Sequence, residues 1–110
     1  MAIRKPRGTQ DFLPEQMRNW HFIEGAMRKL TKAYGFEEIR TPIFEDTGLF
    51  LRGIGETTDV VQKEMYTFST GDKKESSFTL RPENTASAVR AYLENKVYGK
   101  EGVTKWFYMG

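Results

Sequence analysis

An apolar stripe near the amino terminus constrains the fold more than any other feature of this sequence. Its members lie three or four residues apart and are Leu13, Met17, Trp20, Ile23, Met27, Leu30 and Tyr34. This spacing predicts one long amphipathic helix over residues 14–34. Pro14 suits the first turn of that helix, Glu15 complements its positive end, and Gly35 suits its carboxyl-terminal cap. By default, such a stripe belongs to a hydrophobic core.

The next segments are shorter and more irregular. Residues 36–44 predict a strand interrupted by Pro42, because proline cannot donate a hydrogen bond to a sheet and belongs at an edge or a bend. Residues 46–52 predict a short helix that begins at Asp46 or Thr47. An acidic, Thr-rich connection follows over residues 54–64.

The second half of the chain predicts a hairpin, a helix and a strand. The hairpin strands carry alternating apolar residues around a polar stretch at 70–76, and these are Tyr66, Phe68, Phe78 and Leu80. A helix is predicted over residues 84–96, with one apolar face made of Ala88, Val89, Tyr92 and Leu93. Residues 105–109 predict a strand. Helices beside hairpin-linked strands indicate an α+β fold with a mostly antiparallel sheet.

Composition excludes several classes of function. The chain has 110 residues, which is room for one small domain. It has no cysteine, so disulfides, thiolate metal sites and thiol catalysis are excluded. It has no apolar run long enough for a transmembrane helix, and its single histidine, His21, leaves no histidine-cluster metal site. A net charge of +2 is too small to indicate nucleic-acid binding by charge alone.

The stretch from Thr79 to Thr85 is the best candidate for a binding site. It joins a strand to a helix through Pro82 and leaves the Glu83 carboxylate and the Thr85 hydroxyl at the junction. Such a pair suits an ammonium group, which needs acceptors to replace its water shell. The structural alternative is that Glu83 lies in the first turn of a helix, where carboxylates are favoured anyway. We expect Arg81 to be a structural partner of Glu83 or of a neighbouring carboxylate.

Two other features favour structural interpretations. The run from Gly53 to Gly55 lacks the Lys-Ser/Thr pair of a phosphate-binding loop, so Gly53 is better explained as the end of a helix. His21 has no carboxylate or nucleophile near it in the sequence, so a position at the surface or an interface is favoured over catalysis.

Several segments of the chain, taken in order, carry the pattern of a known family. They are residues 7–14, 34–42, 55–59, 63–68, 80–85 and 105–110. Together they resemble the histidyl-tRNA synthetases, which are class II aminoacyl-tRNA synthetases. The match extends over essentially the whole chain. One departure is Asn84, where many members carry glycine; we expect little loss, since asparagine tolerates positive φ and can cap a helix.

The resemblance implies an architecture and a set of site residues. Residues 1–110 would form the amino-terminal part of the catalytic domain, with a partial class II synthetase fold. The long predicted helix followed by residues 34–42 resembles motif 1, whose helix and strand build the homodimer interface of these enzymes. Residues 80–85 resemble the loop that binds the amino acid, so Glu83, Asn84 and Thr85 would bind histidine. No catalytic residue, cofactor-binding residue or metal ligand is expected within the chain.

The implied activity is the ATP-dependent attachment of histidine to its tRNA through histidyl-adenylate, in the cytoplasm and without a membrane partner. ATP would be a substrate of the whole enzyme and Mg²⁺ its metal ion. We expect residues 1–110 to bind neither of them tightly. The family's ATP-clamping arginines and its histidine-specific loop would follow Gly110, so we expect the chain to continue there and the isolated piece to be inactive.

Two alternatives stay open. The first is a non-catalytic relative that acts as a regulatory subunit of ATP phosphoribosyltransferase, since it shares this fold and much of this pattern. The second is a stand-alone dimerisation or RNA-binding module that ends at Gly110. The apolar strand over residues 105–109 argues against the second, because it would expose aromatic side chains unless another segment pairs with it.

Overall fold

The computed structural model describes residues 2–54, 65–69, 71 and 76–110. The chain divides into two units, Met1–Glu37 and Glu38–Gly110. Most of the predicted connection over residues 54–64 and of the predicted turn over residues 70–76 lies outside the described residues. In the part of the chain that is described, no helix is both long enough and apolar enough to cross a membrane.

The first unit contains the predicted long helix, α1, over Pro14–Ala33. Its beginning is held by the Gln16 side chain, whose Oε1 accepts a hydrogen bond from the Leu13 backbone N–H at 3.1 Å. Its end is closed by Tyr34 and then by Gly35, whose φ of +78° favours glycine. The prediction of a helix over residues 14–34 is therefore confirmed to within one residue.

The apolar stripe of α1 is not part of a core, which corrects the default expectation. No residue of α1 is buried. Even Trp20 and Met27, near its centre, are 43% and 46% exposed. The helical period fixes which side chains share a face, but burial also requires a second surface to pack against.

The second unit is built on a three-stranded antiparallel sheet. Its strands are β2 (Phe44–Asp46), β3 (Tyr66–Ser69) and β4 (Ser77–Leu80), in the order β2-β4-β3. In the hairpin, Tyr66 pairs with Leu80 and Phe68 with Phe78, which confirms the predicted hairpin and the α+β class. A separate two-stranded sheet contains β1 (Glu37–Glu38) and β5 (Trp106–Phe107).

The predicted strand over residues 36–44 is instead two strands, β1 and β2, with an irregular segment between them. Pro42 lies in that segment, as its missing N–H requires. The short helix α2 covers Thr47–Ile54, two residues beyond its predicted end. The last helix, α3, covers Thr85–Glu94 and is shorter than the predicted 84–96. A single 3₁₀ turn, Val97–Gly99, follows it.

The sheet of the second unit buries its polar face at Glu45 and Thr79 and leaves its aromatic face half exposed. Thr79 is fully buried and Glu45 is 8% exposed. The Thr79 hydroxyl lies 2.9 Å from that of Thr47 on α2 and 3.0 Å from that of Thr67. Because these hydroxyls satisfy one another, polar residues are stable at the covered side of the sheet.

The opposite face carries three phenylalanine rings, Phe44, Phe68 and Phe78, with centroids 5.6 to 6.0 Å apart. Phe44 and Phe68 are 43% and 40% exposed. Among the described residues, Phe50 of α2 is the one buried apolar side chain. The fold of this unit therefore relies on hydroxyl and ionic contacts as well as on apolar burial.

An ion pair joins α3 to the sheet. Arg90 Nε lies 2.6 Å from Glu45 Oε2, and Arg90 Nη2 donates to Glu45 Oε1 at 2.9 Å. The Arg90 Nη1 atom donates to Glu94 one turn later, at 2.6 Å. The hydrogen bond with Glu45 is the main reason that the pKa of Arg90 is raised, so the guanidinium keeps its charge.

Candidate functional site

The candidate binding loop lies between β4 and α3. On the β4 side, the Arg81 N–H donates to the Ile43 carbonyl at 2.9 Å, which continues the sheet by one residue. On the α3 side, the Ala88 N–H donates to the Asn84 carbonyl at 3.0 Å, which is the first bond of the helix. The sequence thus folds as predicted, with Pro82 and Glu83 forming the turn between strand and helix.

The Glu83 carboxylate caps the amino terminus of α3. Its Oε2 accepts from the Thr85 N–H at 2.5 Å, and its Oε1 accepts from the Ala86 N–H at 3.1 Å. Glu83 lies just before the helix and not in its first turn, yet it satisfies two N–H groups that the helix leaves unpaired. A carboxylate has about four acceptor positions. The cap therefore leaves acceptor capacity for a bound ammonium group.

Asn84 has a role that the sequence did not indicate. Its φ of −107° is negative and its side chain makes no capping hydrogen bond, so neither reason for tolerating asparagine here applies. Instead, Asn84 Oδ1 accepts from the Thr41 hydroxyl and from Arg81 Nη1, each at 3.0 Å. The Asn84 side chain thereby ties the loop to the segment between β1 and β2.

Arg81 has no carboxylate partner among the described residues, contrary to expectation. Its Nη1 donates to the Thr41 carbonyl at 3.2 Å and to Asn84 Oδ1. Arg81 therefore has structural contacts, as expected, but its partners are neutral groups and not carboxylates. Arg81 and Arg40 both line a cavity of about 250 Å³, whose other lining residues are Ile39, Thr41, Asn84, Tyr108, Met109 and Gly110.

The Thr85 side chain contacts a tyrosine, whereas its backbone N–H bonds to Glu83. Its hydroxyl lies 3.1 Å from the hydroxyl of Tyr108, just after β5. Thr85 and Tyr108 also line a second cavity of about 280 Å³, together with Ala88, Val89, Tyr92, Thr104 and Trp106. Of the three predicted site residues, Asn84 lines the first cavity and Thr85 the second, whereas Glu83 is not among the residues that line either.

Tyr108 is the contributor to this site that reasoning from the sequence missed. It lies 23 positions from Thr85 in the chain, and no motif links the two. His21 is exposed on α1 in the other unit. Over the described ranges, no group of three or more His, Cys, Asp or Glu side chains is placed to hold a metal ion.

Comparisons with known proteins decide the family. The model of the family described as Histidyl-tRNA synthetase matches residues 8–110. The chain is 56% identical over its whole length to the histidine–tRNA ligase of Pelotomaculum thermopropionicum. It is 57% identical to that of Halothermothrix orenii. This chain belongs to the histidyl-tRNA synthetase family. It spans about a quarter of these relatives, 25% and 26% of their respective lengths.

Solved structures of the family have the same fold. The histidyl-tRNA synthetase of S. aureus matches 97% of this chain and 24% of its own, with a TM-score of 0.80 and 46% identity. A Bacillus halodurans protein described as an ATP phosphoribosyltransferase regulatory subunit/histidyl-tRNA synthetase matches 100% of this chain and 27% of its own, with a TM-score of 0.76. Its identity is 21%, so it shows the fold alone. The expected partial class II synthetase fold is confirmed.

Proposed function

We propose that residues 1–110 form the amino-terminal part of the catalytic domain of a histidine–tRNA ligase. The observation that supports this most strongly is the 56–57% identity to histidine–tRNA ligases along the whole chain. The regulatory-subunit alternative has support only from a shared fold at 21% identity. A site made of one carboxylate and one hydroxyl also suits the ligase, which must hold an amino acid by its ammonium group.

In the proposed reaction, the histidine carboxylate attacks the α-phosphorus of ATP. The bond between the α- and β-phosphates breaks, pyrophosphate leaves, and histidyl-adenylate remains. A ribose hydroxyl of the tRNA then attacks the adenylate carbonyl, and AMP leaves. No covalent enzyme intermediate is needed, so catalysis depends on orientation and on charge stabilisation.

In this proposal the chain contributes orientation. The free acceptor positions of the Glu83 carboxylate take one N–H of the histidine ammonium, and the Thr85 hydroxyl oxygen takes another. Asn84, the third residue of the predicted set, contributes by holding the conformation of the loop that carries Glu83 and Thr85. Holding the α-ammonium fixes the direction of the carboxylate that attacks ATP, which is how a binding group raises a rate.

The other partners follow from the same family assignment. ATP would enter as substrate with Mg²⁺, and the described residues of this chain offer no ligand cluster for that ion. The tRNA for histidine would be the acceptor. We also propose a cytoplasmic homodimer joined through the motif 1 region, where the half-exposed apolar stripe of α1 supplies a surface that a second copy can cover.

The test uses the full product of the gene that encodes this chain. We expect histidine-dependent exchange of pyrophosphate into ATP, and charging of histidine tRNA. Glu83→Gln keeps an amide oxygen to cap α3 but removes the charge, so it should raise the KM for histidine at least tenfold, the size of a lost charge-assisted bond. Lack of exchange by the wild-type product, or an unchanged KM in the variant, would refute the proposal.

A further inference from the structure

Three polar side chains form a closed network behind the candidate binding loop. The Asn84 Oδ1 atom accepts from Thr41 Oγ1 and from Arg81 Nη1, each at 3.0 Å. The same Arg81 Nη1 donates to the Thr41 carbonyl at 3.2 Å. We call these residues, Thr41, Arg81 and Asn84, the loop network. All three of its hydrogen bonds are partly buried, so water competes with them less than at an open surface.

The network acts at a turn that has few backbone hydrogen bonds of its own. The last sheet bond is made by the Arg81 N–H, and the first helical bond is accepted by the Asn84 carbonyl. Between these bonds lie Pro82, which has no N–H, and Glu83, whose carboxylate accepts, within the described part of the chain, from the N–H groups of Thr85 and Ala86. The tertiary hydrogen bonds that fix this turn are therefore those of Asn84, and then that of Thr85 with Tyr108.

We propose that Asn84 and Arg81 are positioning residues, which hold Glu83 and Thr85 in the geometry that receives the histidine ammonium. This proposal rests on the proposed function. Asn84 stands between the two binding residues, so a rotation of its peptide planes would move the Glu83 and Thr85 acceptors in different directions. Acceptors that are already in place avoid the cost of ordering on binding, and this lowers the Kd.

The loop network also connects two parts of the sequence that lie 43 positions apart. Thr41 and Pro42 belong to the segment between β1 and β2, whereas Asn84 begins α3. A displacement of the Thr41 segment would move the loop, because Thr41 and Arg81 both donate to the Asn84 Oδ1 atom. Thr41 therefore contributes to the affinity for histidine, although it is far from the candidate binding residues in the sequence.

The first measurement concerns geometry and needs no ligand. In the ¹⁵N-labelled chain, the amides of Thr85 and Ala86 report directly on the Glu83 cap. Asn84→Ala removes the shared acceptor, and φ of −107° at this position suits alanine. We expect changed chemical shifts and faster hydrogen exchange at both amides. Asn84→Asp keeps an Oδ1 acceptor for Thr41 and Arg81, so it should keep the wild-type exchange rates.

The second measurement concerns function in the full gene product. We expect Asn84→Ala to raise the KM for histidine about fivefold, as one hydrogen-bond contribution predicts, and to leave the KM for ATP within twofold. Thr41→Val should act in the same direction, and the double variant should be no worse than Asn84→Ala alone. Thr41→Ser keeps the hydroxyl and is the matched control.

The outcomes separate the two proposals. If Asn84→Ala leaves the Thr85 and Ala86 amides and the histidine KM unchanged, the positioning role is refuted. It is also refuted if the KM values for histidine and ATP rise equally, because that result indicates general loss of structure. If Asn84→Ala does not fold, Thr41→Val carries the same test. If the wild-type product has no histidine-dependent exchange, the proposed function fails, while the amide measurement still decides whether the network holds the loop.

Discussion

At the scale of single residues, Glu83 shows how one carboxylate can have a structural contact and a free acceptor at the same time. Its two oxygens cap α3 through the N–H groups of Thr85 and Ala86. This contact makes any kinetic effect of removing Glu83 ambiguous unless stability is measured too. The expectation from the helix dipole was right about the contact, and the binding of histidine stays a prediction.

Glu83→Ala should lower the free energy of unfolding of the chain by about 1 kcal/mol, the usual cost of losing a helix cap. Urea denaturation followed by circular dichroism measures this change. Glu101→Ala removes an exposed carboxylate from a loop and is the matched control, with an expected change below about 0.5 kcal/mol. Equal effects of the two substitutions would show that the cap contributes nothing.

Lys96 is the described non-glycine residue that adopts a left-handed conformation, with φ of 53° and ψ of 38°. This conformation, two residues after the end of α3, explains why the helix stops before the predicted residue 96. Lys96→Gly should stabilise the chain by about 1 kcal/mol, because glycine has no Cβ to strain there. The urea midpoint reports the gain.

Lys100→Gly is the control for that substitution. Lys100 has an extended backbone, with φ of −88° and ψ of 143°, so glycine relieves no strain and only adds freedom to the unfolded chain. We expect a loss of about 0.5–1 kcal/mol. A loss at both positions would mean that Lys96 is not strained.

At the scale of elements, α3 is attached to the sheet by charge more than by apolar contact. The apolar face predicted for α3 is only partly covered, with Val89 52% and Leu93 56% exposed. Its fully buried residue is Ser87. Arg90 on α3 meets Glu45 on β2, and the Glu45 side chain is 7% exposed. The orientation of α3, and with it the position of Thr85, therefore depends on this ion pair.

Glu45→Gln should cost about 1.5–3 kcal/mol, the range for a hydrogen bond to a charged group. The same Arg90 also pairs with Glu94, whose side chain is 67% exposed. Glu94→Gln is therefore a matched control, because Glu94 and Glu45 both pair with Arg90. Its expected cost in the free energy of unfolding is about 0.3–0.5 kcal/mol. Thermal or urea unfolding of both variants measures the difference. Similar losses would argue against a special role for the buried pair.

At the scale of the whole molecule, the chain spans about a quarter of its curated relatives, 25% of the first. The resemblance to the family implies that the ATP-clamping arginines and the histidine-specific loop lie outside residues 1–110. Under the proposed function, residues 1–110 supply the groups that orient histidine and not those that stabilise charge on the reacting phosphate. Binding and catalysis should therefore separate in this chain.

We expect residues 1–110 alone to show no measurable aminoacylation or pyrophosphate exchange. Removal of one charge-stabilising group commonly costs about 10²–10³ in rate, and here several would be lost together. The measurement is a pyrophosphate-exchange assay at high concentrations of the chain, with the full gene product as the positive control. Histidine-dependent exchange by the chain itself would contradict this assignment of roles.

Features that depend on neighbouring residues followed from local sequence patterns. The period of the stripe from Leu13 to Tyr34 gave the bounds of α1, and alternation located the two strands of the hairpin. Pro82 and the residues around it located the turn between β4 and α3. These are local consequences of backbone geometry, so a short window of sequence contains the information.

Which faces are covered and which distant groups meet depended instead on the packing of strands and helices. Alternation in the hairpin could not tell that the face with Thr79 would be buried and the face with Phe68 half exposed. Nor could it tell that Asn84 would bond to Thr41, 43 positions away, or Thr85 to Tyr108. These outcomes depend on how strands and helices pack, because a hydrogen bond between side chains forms only where folding brings the two within about 3 Å.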